Sequence, residues 1–368
     1  MTSLPVDTAN RSAAYPMRRW VFEDAAGRFD IDLGDSNVQC GTLAGLKVHD
    51  GLVLDYGHDR GTERLREMVA RLYSGELNST LITHGAQEAL YLVYSALLRP
   101  GDQVITFSPG WQQHAEAPSS LGADVDVIGL RPDLTVDVEA AAAIAGPKLR
   151  LIVASTPCNP TGQRINAADL DALVSLAQRH DGYLLLDEEY SVDLSTSLAT
   201  RSDRVLSVSS LSKVYGLPGL RIGWLFGTPD LVSACIERKH LTTISNSVLC
   251  ESLAVEVLQQ RAQYIEEYRR LTSGGLALLR EWADRHSDAI QLVPPHGTPF
   301  AWIQLMTGEP PMAFAQRALD LGVMVMPGET VGSGNGFRLC FAREPQSLTE
   351  GLRRIESVLR PPKVFTSG

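Results

Sequence analysis

From Leu81 onward the chain alternates short apolar runs with stretches of helical spacing. Residues 81–83 and 103–107 read as strands, with residues 86–98 helical between them and Pro100-Gly101 as a turn. Further runs rich in Val, Ile and Leu follow at residues 124–130, 149–155, 183–186, 205–208 and 220–226. Most are separated by helical patterns such as residues 167–179, which predicts crossover helices covering a mainly parallel sheet. Upstream, Leu65, Met68, Val69, Leu72 and Tyr73 share one helix face, closed by Gly75, while residues 1–30 read as polar and irregular and residues 31–34 as a short extended piece. Beyond Pro229 the texture changes to long helical patterns over residues 231–283, with breaks expected near Ser245 and Gly274-Gly275. Strands at residues 301–305, 323–326 and 337–341 and helices at residues 314–321 and 348–359 then predict a smaller α+β domain. The expected organisation is an N-terminal segment, residues 1–45, packing with that small domain; a large domain, residues 46–235; and the small domain, residues 236–368.

Composition narrows the classes. The 368 residues are 44% hydrophobic and 21% charged, enough apolar material for a large core. With 33 Lys and Arg against 43 Asp and Glu, the net charge of −10 argues against nucleic acid as a partner. No run is long and apolar enough for a signal or membrane span, and the five cysteines (Cys40, Cys158, Cys235, Cys250, Cys340) form no Cys-x-x-Cys pair. A cytoplasmic protein without disulfides, metal or membrane contact is expected. The eight histidines show no metal spacing, and Gly332-Ser333-Gly334-Asn335-Gly336 precedes a strand, so a hairpin is expected there in place of a dinucleotide loop.

The most informative stretch is Ser210-Leu211-Ser212-Lys213-Val214-Tyr215-Gly216-Leu217-Pro218-Gly219-Leu220-Arg221. Between two buried strands, Ser210 and Arg221 could hold a phosphate and leave the Lys213 amine free for a Schiff base. Four upstream segments bear on this. His84-Gly85-Ala86-Gln87 lies where a strand hands over to a helix, so the Ala86 and Gln87 amides suit an anion. Trp111, after the strand at residues 103–107, could stack on a planar ring. Asn159-Pro160-Thr161-Gly162 follows the strand at residues 149–155, and Asp187 ends an apolar run, where a carboxylate needs a cationic partner. Each alone is also compatible with an ordinary turn or core residue; His114, just behind Trp111, reads as structural before catalytic.

Together and in this order, the motifs resemble the class I/II aminotransferase superfamily, the pyridoxal-phosphate (PLP) enzymes of fold type I. The resemblance implies an α/β fold, with a mainly parallel seven-stranded sheet sandwiched by helices and a smaller α+β domain. It implies that Lys213 carries the cofactor and moves the substrate's α-proton, with Gly85, Ala86, Gln87, Ser210, Ser212 and Arg221 at the phosphate. Trp111 would stack on the ring, Asp187 would pair with its nitrogen, and Asn159 and Tyr190 would face its phenolic oxygen. Arg338, in Phe337-Arg338-Leu339, matches the arginine that grips the substrate carboxylate, with Gly34 and Asn159 beside it. Tyr56 matches a residue that reaches the neighbouring subunit's phosphate, which implies a homodimer with shared active sites.

Residues 83–92, 211–224, 230–233 and 241–245 are most similar to the capreomycidine-synthase-like branch, whose arginine-cyclising members serve bacterial specialised metabolism. Trp111-Gln112-Gln113-His114 and His296-Gly297-Thr298-Pro299 depart from the wider pattern where specificity is expected. Asp30, Asp32 and Asp35 could receive a cationic side chain, or could simply be solvated. The expected activity is elimination and cyclisation of an arginine-derived or similar amino acid. The alternatives are amino-acid transamination, γ-elimination or replacement, and a non-catalytic regulator.

Overall fold

The computed structural model describes residues 15–359. Seven strands form the main sheet in the spatial order Thr80–Thr83, Gly223–Phe226, Val205–Ser210, Tyr183–Asp187, Leu149–Ser155, Gln103–Ser108 and Asp124–Gly129. Gly223–Phe226 runs antiparallel to both neighbours; the other pairings are parallel. Strand alternation explains the double-sided burial. Leu151 and Val153 join one apolar cluster with Leu90 and Val93 of the helix Gly85–Leu97, while Ile152 and Ala154 join another with Leu173 and Leu176 of the helix Ala167–Arg179. Consecutive side chains point to opposite faces, and both faces are covered by helices, so the run reads as continuously apolar.

A second sheet has the order Met326–Pro327, Gly336–Cys340, Phe300–Leu305 and Ile290–Val293, all antiparallel. Trp282, Trp302, Phe314 and Phe337 fill its core. The N-terminal strand Ile31–Asp32 pairs in parallel with Val323–Met324. No helix among the described residues is long and apolar enough to cross a membrane.

Four local expectations are corrected. The first concerns the start: Pro16–Arg19 is a helical turn continued by a π-helical turn, Trp20–Asp24. Trp20 is fully buried, and its indole N–H donates to the Val325 carbonyl at 2.9 Å. Second, the run at residues 220–226 becomes a strand only at Gly223, because Pro218–Leu220 forms a 3-10 turn and Arg221 takes a left-handed φ of 51°. Third, Gly274-Gly275 does not break the helix Arg261–Arg285; the interruption falls at Gln260. A Cβ on Gly275 would collide with the Phe341 carbonyl, so this glycine serves close packing of chain on helix and not termination. Last, residues 323–326 split between two sheets. Val323–Met324 pairs with the N-terminal strand and Met326–Pro327 with Gly336–Cys340. The glycine-rich segment joins that antiparallel pair, with Gly332 at a φ of 86°.

Candidate active site

The carboxyl ends of the main-sheet strands open into a cavity of about 400 Å³, closed from the other side by residues 17–36 and the second sheet. Ligand sites form at such strand ends because successive loops diverge there. Strand Tyr183–Asp187 delivers Asp187, the loop after Leu149–Ser155 delivers Asn159, and the loop after Val205–Ser210 delivers Ser212, Lys213 and Arg221. The helix Gly85–Leu97 presents Ala86 and Gln87 from its first turn, where unpaired amides and the helix dipole favour an anion.

This phosphate-sized corner is possible only with bare backbone. A Cβ on Gly223 would lie 2.5 Å from the Ala86 nitrogen, and one on Gly85 would lie 3.0 Å from the Arg221 guanidinium carbon. Arg221 itself is fixed by donating to the Pro218 carbonyl at 2.8 Å.

Trp111 lines the cavity and is oriented by donating its indole N–H to Gln87 Oε1 at 3.1 Å. Asp187 is buried, with Oδ2 3.2 Å from His114 Nε2 and Oδ1 accepting from the Glu189 amide at 3.2 Å. His114 is thus the orienting partner of that carboxylate; its place three residues after Trp111 was the only hint in the sequence. Lys213 Nζ donates to Ser36 Oγ at 2.9 Å, and Ser36 lines the cavity as well. Burial pushes the Tyr190 phenol well up, so its oxygen keeps the proton and can donate.

Arg338 is 2% exposed, which excludes a surface role. One guanidinium nitrogen donates to Asn159 Oδ1 at 2.5 Å and the other to the Gly34 carbonyl at 2.6 Å, while Nε has no partner among the described residues. A buried guanidinium with spare donors is built to receive an anion.

Three expected residues do not themselves line this cavity. Ser210 is buried, with its hydroxyl accepting from the Ser212 amide at 2.9 Å, and does not line the cavity. Gly85 stands behind Arg221. Tyr56 is 84% exposed and outside the cavity. Conversely, Asp32, Asp35 and Glu189 line it. Glu189 was singled out by nothing in the sequence except its position between Asp187 and Tyr190.

The sequence profile described as aminotransferase class I and II matches residues 26–355. The chain belongs to that family. It is 30% identical over 364 residues to the capreomycidine synthase of Streptomyces vinaceus, covering 94% of each chain. To the arginine–pyruvate transaminase of Pseudomonas aeruginosa it is 31% identical over 325 residues, covering 82% of this chain and 81% of that one. The crystal structure of the PLP-dependent cyclase OrfR superposes with a TM-score of 0.86 at 25% identity, covering 95% of this chain and 98% of that one. The fold is fold type I, the protein is an enzyme, and its cofactor is PLP. The residues fit that cofactor: an amine, a buried carboxylate, an aromatic face and an anion-binding helix start converge on one cavity.

Proposed function

We propose that this enzyme acts at the α-carbon of a cationic amino acid, arginine-derived or similar, and carries it through elimination and ring closure in bacterial specialised metabolism. The observation that carries the cationic substrate is the pair Asp32 and Asp35, which flank Gly34 and line the cavity wall next to Arg338. Burial first, and then the charge of Asp35, push the Asp32 carboxyl up. A guanidinium placed between the two would offset both effects, adding to the pull of Arg343 and of the Gly34 and Asp35 amides. The likenesses to a capreomycidine synthase and to an arginine–pyruvate transaminase agree with such a side chain.

PLP supplies an electron sink for the bond broken at the α-carbon. Ala86, Gln87, Ser212 and Arg221 would hold its phosphate, Trp111 its ring face, Asp187 its nitrogen, and Asn159 and Tyr190 its phenolic oxygen. Arg338 grips the substrate carboxylate through its free donors, with Gly34 and Asn159 fixing its plane. Lys213 then takes the α-proton.

Transamination is the second reading, favoured by the transaminase likeness, and γ-elimination or replacement shares the same first step. Turnover of arginine, hydroxyarginines and neutral and acidic amino acids, with and without a 2-oxo acid, separates these outcomes. Cationic substrates should be preferred, and Asp35→Asn should lower their kcat/KM about 10 to 100-fold, the worth of one charged hydrogen bond, while sparing neutral ones. Equal turnover of neutral amino acids would refute the cationic preference. Water loss without an acceptor supports elimination, and acceptor-dependent product supports transamination.

The homodimer with shared sites belongs to the same proposal. Leu43, Val53, Leu54 and Tyr56 are exposed, as are Leu241 and Ile244, and the Asp59–His240 contact at 3.0 Å draws these two segments together. An apolar patch of this kind suits a second copy, with Tyr56 reaching the other subunit's phosphate. Sedimentation velocity should report a dimer; a monomer at micromolar concentration would contradict this. The cysteines are free thiols, which supports a reducing cytoplasm as the setting.

A further inference from the structure

Two glutamates follow Asp187, and the fold treats them differently. Glu188 turns into the protein, where its Oε2 accepts from Ser197 Oγ and Ser207 Oγ, each at 2.5 Å. Glu189 turns into the cavity that holds Lys213, is 9% exposed, and leaves Oε1 without a hydrogen-bond partner among the described residues. The Ser210 hydroxyl bonds to the carboxyl, yet an ionised carboxylate buried in that position still costs several kcal/mol. Such a group either keeps a proton or lends its charge to a cation nearby.

The groups around it allow both. Asp187 and Tyr190 come from its own segment, Lys213 and Arg221 from the loop after Val205–Ser210, and Asp32, Asp35 and Arg338 line other parts of the same cavity. Burial and then the charge of Asp187 push Glu189 up to about 7, against the pull of Lys213, the Ser210 hydroxyl and Arg221. Both of its forms are therefore populated near neutral pH.

We propose that Glu189 is the proton partner of Lys213, a positioning residue that exchanges a proton with the lysine amine during turnover. As the Glu189 O–H bond breaks, an N–H bond forms on Lys213, leaving carboxylate beside ammonium; the reverse transfer restores both groups. The site thereby stores one proton more than Lys213 alone provides. A leaving group that departs as a neutral molecule draws on such a store. The inference rests on Lys213 as the PLP lysine and is independent of which amino acid is the substrate.

Two signals of the PLP-loaded enzyme test it: the pH titration of the visible absorption, and the rate at which a bound amino acid exchanges its α-hydrogen in D2O. In Glu189→Gln the titration midpoint should fall by about one pH unit, since the carboxylate that favoured the protonated lysine linkage is gone. Hydrogen exchange should slow about 100-fold. Glu189→Asp, which keeps the carboxyl, should recover part of both signals. A Glu189→Gln enzyme that titrates and exchanges like the wild type overturns the proposal. So does a raised KM with an unmoved midpoint, which would make Glu189 a substrate contact only, and so does Glu189→Asp behaving no better than Glu189→Gln. Wild-type protein that shows no visible band with added PLP would instead overturn the cofactor site itself.

Discussion

Replacing Lys213 with alanine is expected to remove the visible absorption of protein-bound PLP and to lower turnover by about 10⁴-fold or more. Lys213 is the only lysine lining the cavity among the described residues, so no other amine there can take over the covalent link or the proton. General acid–base transfer alone accounts for about 10² to 10⁴-fold, and loss of the covalent attachment adds to it. Lys213→Arg should fail almost as completely, because a guanidinium keeps its charge and offers no free amine. Absorption spectra before and after borohydride, with turnover of the preferred amino acid, measure both effects. A Lys213→Ala protein to which borohydride still fixes PLP covalently would refute the assignment.

Asp187→Asn should cost nearly as much by a different route. The carboxylate is buried at the end of a strand that is buried from Leu184 onward, and is held by His114. A protonated pyridine nitrogen facing an amide in place of a carboxylate loses its charge partner in a poorly solvated site. Breaking a buried pair in this way costs about 3 to 5 kcal/mol, or about 10² to 10⁴-fold in rate. The loss should fall mainly on kcat, since ring protonation matters most when negative charge develops at the α-carbon. Steady-state kinetics and cofactor retention on dialysis provide the measurement. A variant within a few-fold of wild type would show that Asp187 does not hold the ring nitrogen. His114→Phe should produce a weaker version of the same defect, because the carboxylate would remain but lose its orienting partner.

Much of this architecture is legible along the chain because its signals are local. Strands such as Leu149–Ser155 are announced by apolar runs bounded by turns, and the crossover helix Ala167–Arg179 by its spacing. The motif order around Asn159, Asp187 and Lys213 is legible because each residue sits at or just past a strand end, where sequence neighbours are also spatial neighbours. Misplaced elements share the opposite property. Trp20 is buried because it packs into the core of the second sheet, where Val325, 305 residues away, accepts its N–H. Gly275 stays helical because Phe341 passes over it, and residues 323–326 divide because two different partners claim them.

The sequence by itself determined the α/β class, through local periodicity, and the PLP-enzyme family, through the order of several motifs, and it singled out Lys213 as the candidate for the cofactor link. The tertiary structure decided the rest of the site. It tied the Ser210 hydroxyl to the Ser212 amide, bound His114 to Asp187, set Arg338 between Asn159 and Gly34, and brought Asp32, Asp35 and Glu189 into one cavity with Lys213. The physical reason is that desolvation and charge coupling depend on what surrounds a side chain in space. A glutamate in Asp187-Glu188-Glu189-Tyr190 therefore gives no sign along the chain of whether it is an anchored core residue, as Glu188 is, or an acid lining the cavity of a reactive amine.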